Sequence, residues 1–456
     1  MFKPIFDSQK ANFKSHATLS LQARLDSISK LENMIIVHEK ALCEAVFKDL
    51  NKSETEAFLT EILPLKQEIT YIRKHLKSWM KAKRKPRSLV TSTMSSKVLP
   101  SPKGVVLIVS PWNYPIQLAL MPLMSALSAG NTAIVKVSEI SSHTGRLLTQ
   151  IINETFDPNL VFATDVGPQE FHDLLELPYD HLFFTGSPSI GKIMMSAAAK
   201  HLTPVTLELG GKSPAIVMAD ANIKVAARRI VWGKGLNCGQ TCIAPDYVVV
   251  HQSVKNELVE ALKEMIETQF PSSLTQPDFP KIINERHFNR LVSYLKDQAI
   301  LHGGSYDKEQ NKIAFTLIHE PSFDSPLMQD EIFGPILPIL SYHDEASLNE
   351  ILDAHPNPLA LYLFTEDKAN KEKIMRERGF GGAAINDTIL HIVSPTLPFG
   401  GVGNSGMGSY HGVYSFETFS HMKTIVDSPT WFDLVVKYPP YTTKKKKLIQ
   451  IVRKLV

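Results

Sequence analysis

From residue 105 onward, short apolar runs alternate with stretches of helical spacing, and no other feature limits the fold as strongly. Apolar runs at 105–109, 133–135, 160–163, 181–184 and 205–207 are separated by helical patterns at 116–129, from 142, at 168–177 and at 188–200. Strands interleaved with helices are joined by crossovers, which makes neighbouring strands parallel and covers both faces of the sheet. After Gly211 a second series begins, with strands at 215–217, 247–250, 335–340 and 359–364 and helices at 225–236, 254–269 and 284–298. The predicted class is therefore α/β, with two doubly wound parallel-sheet lobes joined near Gly210-Gly211. Such sheets bind ligands at the carboxyl ends of their strands. Residues 110–114, 136–139 and Gly186-Ser187 fall at those ends.

A length of 456 residues exceeds what one core holds, so more than one lobe is required on size alone. The formal charge of +3 gives no field that would draw nucleic acid. Three cysteines (Cys43, Cys238, Cys242) are too few for a disulfide scaffold and suit a reducing cytoplasm. No run approaches the roughly 20 apolar residues of a membrane span. The apolar end after Lys444-Lys445-Lys446-Lys447 is short and broken by Arg453 and Lys454. Residues 17–80 carry helical spacing, and Ser53 with Glu56 forms a capping-box pattern at the start of a helix. The basic run at 81–87 reads as a solvated face, and residues 88–100 read as an extended arm.

The chemistry-bearing stretch joins the two series. Glu208 ends an apolar run, and Cys242 lies 34 positions later in Gly239-Gln240-Thr241-Cys242. A thiol is the strongest side-chain nucleophile at neutral pH, and the bond it forms must be released by an activated water. A carboxylate at a buried strand end has a raised pKa and suits that task. Cys242 and Glu208 are thus the expected nucleophile and base. Buried cysteine is also a common core residue, and Cys238 fits packing or redox protection. A metal pair at 238 and 242 lacks the second pair that zinc sites bring, so no metal is expected.

Two glycine patterns mislead. Gly401-Val402-Gly403-Asn404-Ser405-Gly406 matches the dinucleotide fingerprint but follows no strand and has no acid about 20 residues on, so it reads as a flexible loop. Gly186-Ser187-Pro188-Ser189-Ile190-Gly191-Lys192 is nearly a P-loop, yet Ile193 replaces the metal-binding hydroxyl. The second segment still suits a dinucleotide. Gly186 allows a tight turn, Pro188 suits the first helical position, and the helix start with Ser187 and Gly191 faces a pyrophosphate.

Leu207-Glu208-Leu209-Gly210-Gly211-Lys212-Ser213-Pro214 and Asn237-Cys238-Gly239-Gln240-Thr241-Cys242 resemble the glutamate and cysteine signatures of the aldehyde dehydrogenase superfamily. Pro111-Trp112-Asn113, Lys136-Val137-Ser138-Glu139, Phe184-Thr185-Gly186-Ser187, Glu331-Ile332-Phe333-Gly334-Pro335 and Pro398-Phe399-Gly400-Gly401 extend the likeness. Cys242-Ile243-Ala244-Pro245-Asp246-Tyr247 and the short length are similar to the class 3 branch. The resemblance implies a dinucleotide-binding domain over 1–208 with a β-hairpin arm at about 86–103, a catalytic domain over 209–397, and a loop, oligomerisation strand and tail over 398–456. It implies a homodimer. Asn113 then holds the oxyanion with the backbone N–H of Cys242, Lys136 and Glu139 reach the adenosine ribose, and Glu331 and Phe333 reach the nicotinamide ribose. A carboxylate at the ribose favours NAD with NADP tolerated. Tyr114, Trp232 and Phe399 are either plain core or the lining of an apolar tunnel for medium-chain or aromatic aldehydes. The rival readings are a coenzyme A-acylating enzyme, a cysteine hydrolase, and a non-enzymatic protein on the same fold.

Overall fold

A computed structural model describes residues 2–88 and 91–453. Leu89 and Val90 of the expected arm, and residues 454–456 of the basic tail, lie outside the described residues. The chain divides into two compact units, one running to Trp79 and resuming over Pro102–His421, the other combining Met80–Ser101 with Met422–Val456.

The larger unit holds both parallel-strand series. Its six-stranded sheet runs Gly406–Met407, Val205–Glu208, His181–Thr185, Val105–Val109, Thr132–Lys136, Val161–Thr164. The expected strands stand within one or two residues of their positions, because each apolar run is long enough to be buried on both faces; every residue of Val105–Val109 and Thr132–Lys136 is buried. Burying such a side chain fully stabilises by about 1.5–3 kcal/mol before chain entropy is subtracted. Strand order reverses on either side of Val105–Val109: the next two strands add on one side, and His181–Thr185 adds on the other. That reversal opens a crevice between the loops after Val109 and after Thr185, where ligands of doubly wound sheets bind.

The sheet is not wholly parallel. Gly406–Met407 pairs antiparallel with the edge strand, Gly406 opposite Glu208 and Met407 opposite Leu207. The stretch read as a flexible loop is therefore bonded into the fold, and the Leu209 amide donates to the Ser405 carbonyl at 3.0 Å. The chain leaves this sheet at Glu208 and enters a seven-stranded sheet at Pro214–Val217. The second sheet runs Ile300–His302, Thr316–His319, Ile336–Tyr342, Tyr247–His251, Pro214–Val217, Ala360–Phe364, Gly382–Ile385, with only its Ile300–His302 edge antiparallel.

The N-terminal segment is helical, as expected, over Leu21–Leu50 and Leu63–Trp79, and a further helix spans Lys3–Lys14. The Ser20 side chain caps the long helix by accepting from the Ala23 amide, and Asn51 ends it with φ of 55°. Half of the capping box at Ser53 forms: its hydroxyl accepts from the Glu56 amide at 3.1 Å. The Glu56 carboxylate departs from the motif and reaches the distant Asn237 amide at 2.7 Å.

In the smaller unit Lys83–Arg84 pairs antiparallel with Ser95–Pro102, which makes the expected hairpin, and Ser420–Asp427 extends the sheet to three strands. Lys83–Arg84 belong to the basic run 81–87, which is exposed, as expected. The tail forms a helix over Thr443–Val452. No helix among the described residues is long and apolar enough to cross a membrane, and no group of metal-ligating side chains occurs among them.

Candidate active site

At the crevice where the first sheet reverses its order lies a cleft of about 200 Å³. Asn113, Glu208 and Cys242 all line it, so the three expected reacting groups face one space. Cys242 keeps partial access to the cleft. Its loop is held open by an irregular turn in which Asn237 and Cys238 both take left-handed φ, 50° and 55°. Cys238 is fully buried and packs with Phe279, Leu291 and Ile332, a core residue rather than a second reactive thiol.

Electrostatics at Cys242 and Glu208 share one cause. Burial pushes the Cys242 thiol above its usual range; the carboxylates of Glu331 and Glu208 add to this, while the amides of Cys242 and Ile243 oppose it. Burial also holds the Glu208 carboxyl well above the ordinary carboxylate value. Glu208 is 2% exposed, and neither of its oxygens has a hydrogen-bond partner. An unpartnered buried carboxyl costs folding free energy, which the site retains beside the thiol.

Asn113 sits in the loop after Val105–Val109. Its carboxamide nitrogen donates to the Gln240 carbonyl at 3.0 Å, which uses one of its two N–H bonds. Its own backbone carbonyl accepts from the Asn237 side chain at 2.8 Å. The loop of Asn113 and the loop leading to Cys242 are thus bonded to each other directly. A second tie lies behind the cysteine: Lys212, four positions after Glu208, donates to Asp246 at 2.6 Å, and Asp246 accepts from the Ile332 amide at 3.0 Å.

Of the residues expected to hold a dinucleotide, Gly186, Ser187, Glu331 and Phe333 line the same cleft. Gly186 has an ordinary φ, so a tight turn is not what demands glycine there; an added Cβ would lie 2.5 Å from the Phe184 ring. The helix Pro188–Ala199 begins at Ser187 with no side-chain cap and no acid in its first turn, which leaves its amides open to an anion. Gly191 packs against Leu209, where a Cβ would come within 2.8 Å. Lys136 and Glu139 form an ion pair at the end of Thr132–Lys136. Glu331 is pushed up to about 8, chiefly by burial and then by Asp246. It packs so closely that a Cβ at Gly210 would be 2.1 Å from its carboxylate. Unpartnered buried hydroxyls at Thr185 and Ser110, the open helix start and the Glu331 carboxyl lining the cleft together fit a bound dinucleotide.

Tyr114, Trp232 and Phe399 stand apart from the residues lining this cleft. The Tyr114 hydroxyl is 2.6 Å from that of Thr241, next to the cysteine. Phe399 packs against Tyr410 and His411, and the Tyr410 phenol is pushed up by burial and then by the charges of Glu208 and Cys242. Tyr114 and Phe399 thus contact neighbours of the thiol and the carboxyl from outside the cleft, and Trp232 lies in the helix Ile223–Gly235. His287 and Arg290, one helical turn apart, line the cleft and escaped the sequence reading; nothing in their local pattern sets them apart from an ordinary helix surface. The Trp112 ring lies 5.3 Å from both His287 and Phe333.

Residues 2–425 match the family model described as the aldehyde dehydrogenase family. The chain is 44% identical over 444 residues to 4,4'-diaponeurosporen-aldehyde dehydrogenase of Staphylococcus aureus, covering 97% of each protein. It is 41% identical to the dimeric NADP-preferring aldehyde dehydrogenase of Rattus norvegicus, covering 95% of this chain and 96% of that one. A solved structure of Staphylococcus aureus AldH in a substrate-bound state superposes with a TM-score of 0.96 at 43% identity, over 99% of both chains. Shared motifs, sheet order and the thiol–carboxylate cleft lead to one assignment: the chain belongs to the aldehyde dehydrogenase family, NAD(P)-dependent oxidoreductases that act on aldehydes.

Proposed function

We propose that this cleft converts aldehydes to carboxylic acids through a covalent bond to Cys242, a reading supported above all by the thiol, the carboxamide and the carboxyl facing one space. As a thiolate, Sγ adds to the aldehyde carbon and a C–S bond forms. Negative charge moves to the aldehyde oxygen, where the second N–H of Asn113 and the backbone N–H of Cys242 donate to it. When bound, the nicotinamide of NAD(P)⁺ supplies the acceptor for the hydride that this carbon gives up. Glu208 then takes a proton from water, whose oxygen attacks the thioester carbon; the C–S bond breaks and the acid leaves. A carboxyl with a raised pKa holds the abstracted proton more firmly than an exposed one would.

The Lys136–Glu139 pair favours NAD over NADP, because a resident carboxylate repels a 2′-phosphate, while NADP is still accepted. Trp112, Leu118, Leu209 and Phe333 line the cleft and suit a hydrophobic aldehyde, medium-chain or aromatic. The hairpin arm and exposed Trp431, Phe432 and Val426 support a homodimer. Three free thiols suit the cytoplasm. The decisive experiment is Cys242→Ala: aldehyde-dependent NADH absorbance must vanish while the fold persists, and retained turnover would sink the assignment.

A further inference from the structure

Three carboxylates that touch no reacting atom hold the loops that do. All lie on the helical run after Ser53. Glu56 accepts from the Asn237 amide at 2.7 Å. Glu61 accepts from the Ile116 amide at 2.8 Å and the Gln117 amide at 3.3 Å, while its other oxygen takes the Lys52 ammonium at 2.9 Å. Glu68 accepts from the Gly412 amide at 2.8 Å. Glu61, Glu68 and Lys52 are buried almost completely.

Each donor amide borders a segment of the site. Ile116 and Gln117 follow Asn113-Tyr114 after Pro115. Asn237 heads the turn before Cys242, and its side chain also donates to the Asn113 carbonyl. Gly412, with φ of 53°, follows Tyr410 and His411. The Lys52 ammonium lies 4.0 Å from the centre of the Tyr114 ring and 3.4 Å from the Asn113 carbonyl.

The helix is built for this. Residues five apart on an α-helix point about 140° away from each other, so Glu56 and Glu61 would diverge. Glu61 itself lies in a π-helical turn, Phe58–Ile62, whose closing amide at Leu63 bonds back to Phe58. The wider turn advances each residue by a smaller angle than an α-turn does, which narrows the divergence of the two carboxylates. The α-helix resumes over Leu63–Trp79 and carries Glu68.

We propose that Glu56 and Glu61, with Glu68 in support, are positioning residues for the reaction: through backbone amides they fix the Asn113 donor and the Cys242 loop against each other. The inference rests on the oxyanion role given to Asn113 above. Hydrogen bonds to a carboxylate are about twice as strong as those to a neutral acceptor, so glutamine loosens the loops while keeping the shape. Because the Asn113 contact matters in the transition state, kcat falls and KM does not.

The test is a double-mutant cycle on the full-length protein, with kcat expressed per active site after titration of Cys242 with an alkylating agent. Glu61→Gln is expected to lower kcat about tenfold or more with KM within about twofold, and to add less than about twofold in an Asn113→Ala background. Glu56→Gln leaves the Lys52–Glu61 pair intact and runs the same cycle where Glu61→Gln, with Lys52 stranded, does not fold. A merely structural role lowers the yield of active sites and gives the same factor in both backgrounds; that result, or an unchanged kcat, overturns the proposal. The catalytic reading is tested apart from it, since turnover by Cys242→Ala would refute that reading whatever the glutamine variants do.

Discussion

Glu208→Gln is expected to abolish turnover and to gain stability relative to the wild type as pH rises. The carboxyl is buried with both oxygens unpartnered, and burial holds its pKa well above the ordinary value of 4.5. Proton counting gives the sign. In the unfolded chain the group loses its proton near pH 4.5, whereas in the folded chain it retains it to a higher pH. Between those values folding must take up a proton, so stability falls as pH rises. The slope is about 1.4 kcal/mol per pH unit over the interval in which the folded group keeps the proton that the unfolded chain has lost. Glutamine has nearly the same shape and no proton to lose. Unfolding midpoints of both proteins measured in half-unit steps isolate this group, since other titrating residues cancel in the difference. Whatever its offset, the variant-minus-wild-type stability should climb across that window. A flat difference would mean that Glu208 is solvated or paired in the folded protein, and the argument for its raised pKa would fail.

Iodoacetamide should label Cys242 slowly at pH 7 in the absence of cofactor, because burial, then Glu331 and Glu208, disfavour the thiolate; the rate should rise about tenfold per pH unit towards pH 9, and peptide mass spectrometry that found fast, pH-independent labelling would refute this. Glu139→Gln should free Lys136 from its ion pair and raise kcat/KM for NADP⁺ relative to NAD⁺ by about tenfold, measured by steady-state assays with each cofactor; an unchanged ratio would remove Glu139 from cofactor selection.

The alternation of strands and helices was legible because buried parallel strands are apolar on both faces, and Val105–Val109 or Tyr247–His251 look like nothing else. The thiol and carboxyl were legible because their flanking glycines and apolar runs form specific motifs. What stayed hidden is long-range. Ser53 could be read as a cap from four adjacent letters, but the carboxylate of Glu56 finds its partner 181 residues away. The two-residue strand Gly406–Met407 has no period to detect, so a built edge read as a flexible loop. His287 and Arg290 meet the cleft only because helix Glu285–Leu295 packs beside Phe333. The helix Lys3–Lys14 is largely polar, with only Phe6 and Gln9 buried within it, and gives a weak apolar signal.

The antiparallel pairing of Gly406 with Glu208 also bears on synthesis. A growing polypeptide emerges from the ribosome with Val205–Glu208 as an open sheet margin, and the residues that cover it are translated about 200 codons later. Until then the margin is an adhesive flank to be shielded by chaperones, and Glu208 acquires its final backbone neighbour only once residue 406 has been made.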